Sequence, residues 1–135
     1  MRVEAAAAYP MEGCGVLLGC VRKGERLAER AISLRNVSSV PRNRYEIDLL
    51  ELVRVEREAR QAGLEILGFY HSHPDHPAMP SSTDLAEAHW IGSSYVITAV
   101  VKGNAADTRS YFLAGSREED KSFEEEEIQV VGEQT

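Results

Sequence analysis

Short apolar runs alternate along the chain with two stretches of helical spacing. Residues 4–9 are alanine-rich and predict a helix end halted by Pro10, since the residue before a proline is driven out of the helical region. Residues 15–21 form a continuous apolar run of the kind a buried strand carries. Lys23-Gly24-Glu25 is a turn signal, and the alternation over 28–37 predicts a second strand before the loop marked by Pro41 and Asn43. The clearest helix follows. Asp48 and Glu51 form a D-x-x-E capping pattern, Leu52, Val55, Ala59 and Ala62 recur at helical spacing, and Gly63 stands where a C-terminal cap belongs. Residues 66–70 predict a buried strand that runs straight into His71. A loop bearing Pro74, Pro77 and Pro80 leads to a second helix over 82–90. Further strands are expected at 95–101 and 108–113. The acidic stretch 118–127 is expected to be solvated, with a last short strand at 128–131. No internal repeat is visible. This interleaving predicts an α/β protein of the α+β type, a mixed sheet with helices packed against it.

Composition narrows the function classes. A chain of 135 residues fits one domain spanning 1–135, and 43% hydrophobic with 27% charged residues is the balance of a globular protein. The net charge of -7 argues against nucleic-acid binding, which needs a basic stripe to displace counterions from phosphate. No apolar run approaches the roughly 20 residues that cross a bilayer, so no membrane partner is expected. The N-terminus lacks the basic-then-apolar pattern of a secretory leader. Cys14 and Cys20 would lie roughly 20 Å apart in an extended strand, too far for a disulfide. Two free thiols fit a reducing cytoplasm.

The chemistry concentrates in His71-Ser72-His73-Pro74 and the following Ser81-Ser82-Thr83-Asp84. Residues two apart on a strand face one side, so His71 and His73 can converge on one ion. A carboxylate from another element would complete a three-ligand site, leaving a tetrahedral zinc an open position for water. Each piece also has a structural reading. A His-x-His pair after a strand is common, and S-x-x-D is equally a helix N-cap. His76 reads as a solvated loop residue and His89 as half-buried on a helix. Cys14, flanked by glycines, reads as a small residue packed where chains approach closely rather than as a nucleophile. No spacing rule alone singles out Glu12.

Taken together, H-S-H-P, the S-x-x-D and the upstream P-x-E-x-C-G of residues 10–15 resemble the JAMM (MPN-plus, Mov34/PAD-1) metallopeptidases, above all their short prokaryotic members. The resemblance runs through nearly the whole chain. It implies a cytidine-deaminase-like JAB/MPN fold, with a mostly antiparallel curved sheet flanked by helices. It also implies one Zn2+ per chain held by His71, His73 and Asp84. By the same resemblance Glu12 shuttles the proton of the attacking water, and the Ser81 hydroxyl helps hold the tetrahedral intermediate. The implied substrates are ubiquitin-like or sulfur-carrier proteins, cut after their C-terminal glycines to release a lysine side chain, a cysteine or a short extension. A catalytically silent MPN-type scaffold is the competing reading, and such relatives typically lack one or more ligands. A zinc deaminase is excluded because its H-x-E and P-C-x-x-C pattern is missing. A purely structural zinc would need a fourth protein ligand, for which His76 is the candidate. One departure concerns the edge of the fold: family members usually carry a strand before the first helix, and little chain precedes it here.

Overall fold

A computed structural model describes residues 1–130. The chain enters helix α1 (Arg2–Ala8), then a hairpin of β1 (Cys14–Arg22) and β2 (Glu25–Leu34). Helix α2 (Leu49–Gln61), strand β3 (Glu65–Pro74) and helix α3 (Ser82–Glu87) follow. The described chain closes with β4 (Ser94–Val101), β5 (Asn104–Ala114), a 3-10 turn at Glu118–Asp120 and β6 (Ser122–Glu126). The strands form one sheet in the order β2-β1-β3-β4-β5-β6. Only β3 and β4 run parallel; every other neighbouring pair is antiparallel. This is the mixed, mostly antiparallel sheet with flanking helices that the sequence pattern and the resemblance imply.

Helices cover both faces, and the period of β3 decides which residue meets which. Phe69 joins Val16, Tyr95 and Leu113 beneath Leu52, Val55 and Ala59 of α2. Its neighbour Tyr70 points the other way, to Leu17, Val96 and Met1 on the α1 side. His71 and His73 share the parity of Phe69 and therefore lie on the α2 face, beside a second apolar cluster of Ala78, Ile97, Ala99 and Tyr111. The sheet is strongly curved. Arg26, on edge strand β2, donates to Ser94 Oγ on β4 at 3.0 Å and pairs with Glu126 on β6 at 3.4 Å. Gly68 permits the close approach at the middle of the sheet, where a Cβ would stand 2.1 Å from the Ser94 carbonyl oxygen.

Several boundaries depart from the sequence pattern, each for a local reason. β2 starts at Glu25 and ends at Leu34, earlier than 28–37, because Lys23 and Gly24 (φ 51° and 79°) make a tight hairpin pairing Arg22 with Glu25. The exposed charges of an edge strand hide its alternation. β5 likewise starts at Asn104, straight after the Lys102-Gly103 turn. The helix expected over 82–90 stops at Glu87. The acidic segment is not simply solvated: β6 pairs with β5 there, and Phe123 packs its ring 5.4 Å from that of Tyr95 between outward-facing glutamates. No strand forms at Ile128–Val130, and Val131 lies outside the described residues. Asp48 caps α2 by accepting from the Leu50 N–H at 3.1 Å, and Gly63 takes φ 75° past its end. Glu51 does not complete the box; it lies 3.9 Å from Arg35 instead.

Because Gly68 sets the spacing of the central strands, Gly68→Ala is expected to lower unfolding free energy by about 3 kcal/mol, the upper end of overpacking costs. Urea denaturation of the two proteins measures this difference.

Candidate metal centre

The centre forms at the C-terminal end of β3. Cys14 on β1 is paired with His71, and the pairing continues as the Ser72 N–H donates to the Gly13 carbonyl at 3.0 Å. The Gly13 N–H donates to Ser72 Oγ at 2.7 Å. Extending this register by one residue sets Glu12 opposite His73 and on the same face. On the other flank β4 pairs with His71 and His73 in parallel register. Both imidazoles are thus held on an extended backbone with neighbours on each side.

Asp84 reaches the pair from the first turn of α3. That helix starts with a reciprocal capping box: Ser81 Oγ accepts from the Asp84 N–H at 3.0 Å, and the Ser81 N–H donates to Asp84 Oδ2 at 2.9 Å. The structural reading of S-x-x-D is therefore correct as far as it goes, and the cap also aims the carboxylate. Asp84 Oδ2 lies 2.9 Å from His73 Nε2, and Oδ1 lies 3.3 Å from His71 Nε2. The two Nε2 atoms are 3.2 Å apart.

Whether these atoms suit a cation is decided by the far side of His73. Its Nδ1 lies 2.8 Å from the Pro77 carbonyl oxygen, which can only accept, so Nδ1 carries the hydrogen. That leaves Nε2, which shares a proton with Asp84 in the metal-free protein, as the nitrogen a cation would take at the point where Asp84 and His71 also meet. All three ligand atoms lie within 4.8 Å of one another, a cluster able to bind a metal. A ring nitrogen oriented by a backbone carbonyl is the usual outer support of a metal-binding histidine. His71 is buried, its Nδ1 has no hydrogen-bond partner, and the Tyr45 ring stacks on it with centroids 4.3 Å apart. The loop that supplies the Pro77 carbonyl is itself anchored, because Tyr111 donates its hydroxyl to the Ala78 carbonyl at 2.7 Å.

Charge follows burial and neighbours. Burial drags His71 below the ordinary histidine value. Burial also pulls His73 down, but hydrogen bonds with Asp84 and Pro77 outweigh it and the net shift is upward. Asp84 gains a cost from burial that the two imidazoles and the Ser81 amide more than offset, so its carboxyl stays ionised well below the usual range. Glu12 has no such partners. It is 5% exposed, its Oε1 is unpaired, and burial pushes its carboxyl up to about 8.

The remaining candidates fall away from the centre. His76 is exposed and, among the described residues, does not join the cluster. His89 lies beyond the end of α3, exposed rather than half-buried, 2.8 Å from Glu118. Cys14 is buried with its thiol pushed up to about 12, first by burial and then by Glu12, which suits packing and not nucleophilic attack. Both cysteines are free. Tyr45 and Pro77 were missed by the sequence reading. Neither belongs to a ligand-type residue class, and their contributions are a ring face and a backbone carbonyl.

Residues 1–114 match the family model described as prokaryotic homologs of the JAB domain. The chain belongs to that family. It is 41% identical over 96 residues to a desampylase of Haloferax volcanii, covering 71% of this chain and 68% of that protein. It is 32% identical over 131 residues to a CysO-cysteine peptidase of Mycobacterium tuberculosis, covering 97% and 84%. The fold resembles a solved JAB1/MPN domain protein of Archaeoglobus fulgidus with a TM-score of 0.57 at 22% identity, covering 95% and 87%. No helix among the described residues of this JAB-family chain is long and apolar enough to cross a membrane.

The raised Glu12 carboxyl has a consequence for the metal-free protein. The folded state keeps this proton to higher pH than the unfolded chain does, so this group's contribution to stability is lost as pH rises from the ordinary glutamate range through about 8. Glutamine stays neutral throughout. Metal-free Glu12→Gln should therefore match wild type, after a constant offset, below that window and gain on it progressively within the window. Urea titrations on either side of the window read the effect.

Proposed function

We propose that this chain is a zinc metallopeptidase, acting as one domain, that hydrolyses the peptide or isopeptide bond after the C-terminal glycines of a ubiquitin-like or sulfur-carrier protein. The observation that carries the reading is the convergence of His71, His73 and Asp84, with the His73 tautomer set by Pro77, beside the buried Glu12 carboxyl, whose Oε1 has no partner among the described residues. Two imidazoles and one carboxylate suit zinc and leave room for a substrate, unlike the four-ligand closure of a structural site. The relatives bearing the names desampylase and CysO-cysteine peptidase support a protein substrate of the ubiquitin-like or carrier type.

His71, His73 and Asp84 would hold the ion, which when bound supplies a Lewis acid that polarises the scissile carbonyl and acidifies water. The other tasks fall to the chain. Glu12 takes a proton from the attacking water and returns it to the leaving amine. Its place in the buried pocket beside His73 and Asp84 suits it to that exchange, because a carboxyl can both accept and donate a proton there. Ser81 accepts the Asp84 N–H through Oγ, which leaves its own O–H free to donate to the developing oxyanion. Tyr45 and the Pro77 carbonyl keep the imidazoles from rotating. A cavity of about 270 Å³ on the other side of Tyr45 combines apolar walls from Leu52, Phe69 and Trp90 with the polar Glu46, Glu87 and His89. Free thiols at Cys14 and Cys20 accord with a cytoplasmic setting.

The test uses purified wild type, His73→Ala and Glu12→Gln, with a ubiquitin-like carrier ending in Gly-Gly-Cys as probe. Wild type is expected to hold about one zinc and release the cysteine, with His73→Ala losing the metal. Glu12→Gln should keep the zinc while turnover falls about 10²- to 10⁴-fold, the usual contribution of a general base. Zinc retained by wild type with no cleavage of carrier, extension or conjugate would favour the silent scaffold instead.

A further inference from the structure

Asn36 follows β2 by two residues and uses every hydrogen-bonding position of its side chain. Its Nδ2 donates to the Glu12 carbonyl at 2.9 Å and to the Arg44 carbonyl at 3.0 Å, with the Pro41 carbonyl at 3.5 Å. Its Oδ1 accepts from the N–H groups of Ser38 and Glu46, each at 3.0 Å. The backbone of Asn36 also bridges to Ile47. Val37 and Val40 in this loop are exposed, so apolar burial does little to hold it, and the amide is its internal fastening.

Two branches of that network lead to the centre. The Glu12 N–H donates to the Pro41 carbonyl at 2.7 Å, so both backbone groups of Glu12 are tied to the Asn36 loop. Tyr45, next to the Arg44 carbonyl that Asn36 grips, stacks on His71. Arg44 also pairs with Glu87 of α3, the helix whose first turn carries Asp84. One planar amide can serve these carbonyls and N–H groups together because it bears donors and an acceptor on the same carbon. An aspartate would turn an oxygen toward the carbonyls, and an alanine would leave them unpaired.

We propose that Asn36 is a positioning residue for the reaction: its amide fixes the backbone of Glu12 and the Tyr45 loop against the metal centre. The proposal rests on Glu12 being the base, and its test separates the two. Asn36→Asp keeps the oxygen that accepts from Ser38 and Glu46, and so keeps the loop turn, but removes the donors to Glu12 and Arg44. Zinc content should stay at the wild-type value. On the Gly-Gly-Cys carrier probe, kcat should fall about tenfold to a hundredfold, the scale set by a misplaced reacting group, while KM stays within about threefold. In metal-free protein, amide exchange at Glu12 and Gly13 should accelerate at least about tenfold, since opening there no longer breaks the Asn36 bonds. A generally loosened protein would instead exchange faster throughout and lose zinc as well.

Glu12→Gln serves as the control. If it loses turnover while Asn36→Asp keeps wild-type kcat and wild-type exchange, the positioning role is overturned and the base stands. If Glu12→Gln stays active, the base reading fails and the positioning role for this reaction falls with it, whatever the exchange rates report about the loop. Should Asn36→Asp fail to fold, Asn36→Ala removes the donors and the acceptor together without adding charge, and the same zinc, kcat and Glu12/Gly13 exchange readings then decide the role.

Discussion

Hydrogen bonds keep the end of β3 extended, with β1 pairing as far as His71 and β4 as far as Pro74, and the candidate metal centre is built on that length. A strand buried on both sides cannot bend its last residues toward solvent without abandoning its backbone partners. His71 and His73 therefore point to one face, and the register that holds them brings Glu12 to the same place. The parallel pairing of β3 with β4 matters for a further reason. It demands a crossover, and the crossover carries both the Pro77 carbonyl and the capped start of α3 back over the strand end.

Backbone carbonyls and N–H groups orient His73, Asp84 and Glu12, and these groups are less easily lost by mutation than side chains are. The cost is local. Three candidate ligand atoms crowd within 4.8 Å, and among the described residues neither His71 Nδ1 nor Glu12 Oε1 has a partner. Such arrangements weaken a fold and are found where binding or chemistry offsets them.

Much of this was legible in the sequence because the relevant signals are periodic or chemical. The apolar run at 66–70 identified β3, period two put His71 and His73 on one face, and the S-x-x-D pattern gave the start of α3. The helix over 49–61 followed from its spacing and its caps. What escaped was carried by exposed edge strands and by backbone atoms. β6 hid among glutamates because only Phe123 turns inward, and the charged outer face of β2 blurred its true start. Pro77 acts through a carbonyl, which leaves no mark in residue type, and Asn36 acts through a loop whose closure is visible only in three dimensions. Glu12 was reached through family resemblance rather than spacing, since the register that aims it depends on a strand pairing across 59 positions of sequence.

The central claim is that one zinc sits on His71, His73 and Asp84. X-ray absorption at the zinc edge of the metal-loaded protein tests it most directly, because Cys14 stands opposite His71 in the sheet and sulfur is readily told from nitrogen and oxygen. The account predicts a first shell of nitrogen and oxygen only, at roughly 2.0–2.2 Å, with imidazole scattering beyond it. A sulfur neighbour near about 2.3 Å, or a shell without imidazole, would contradict it.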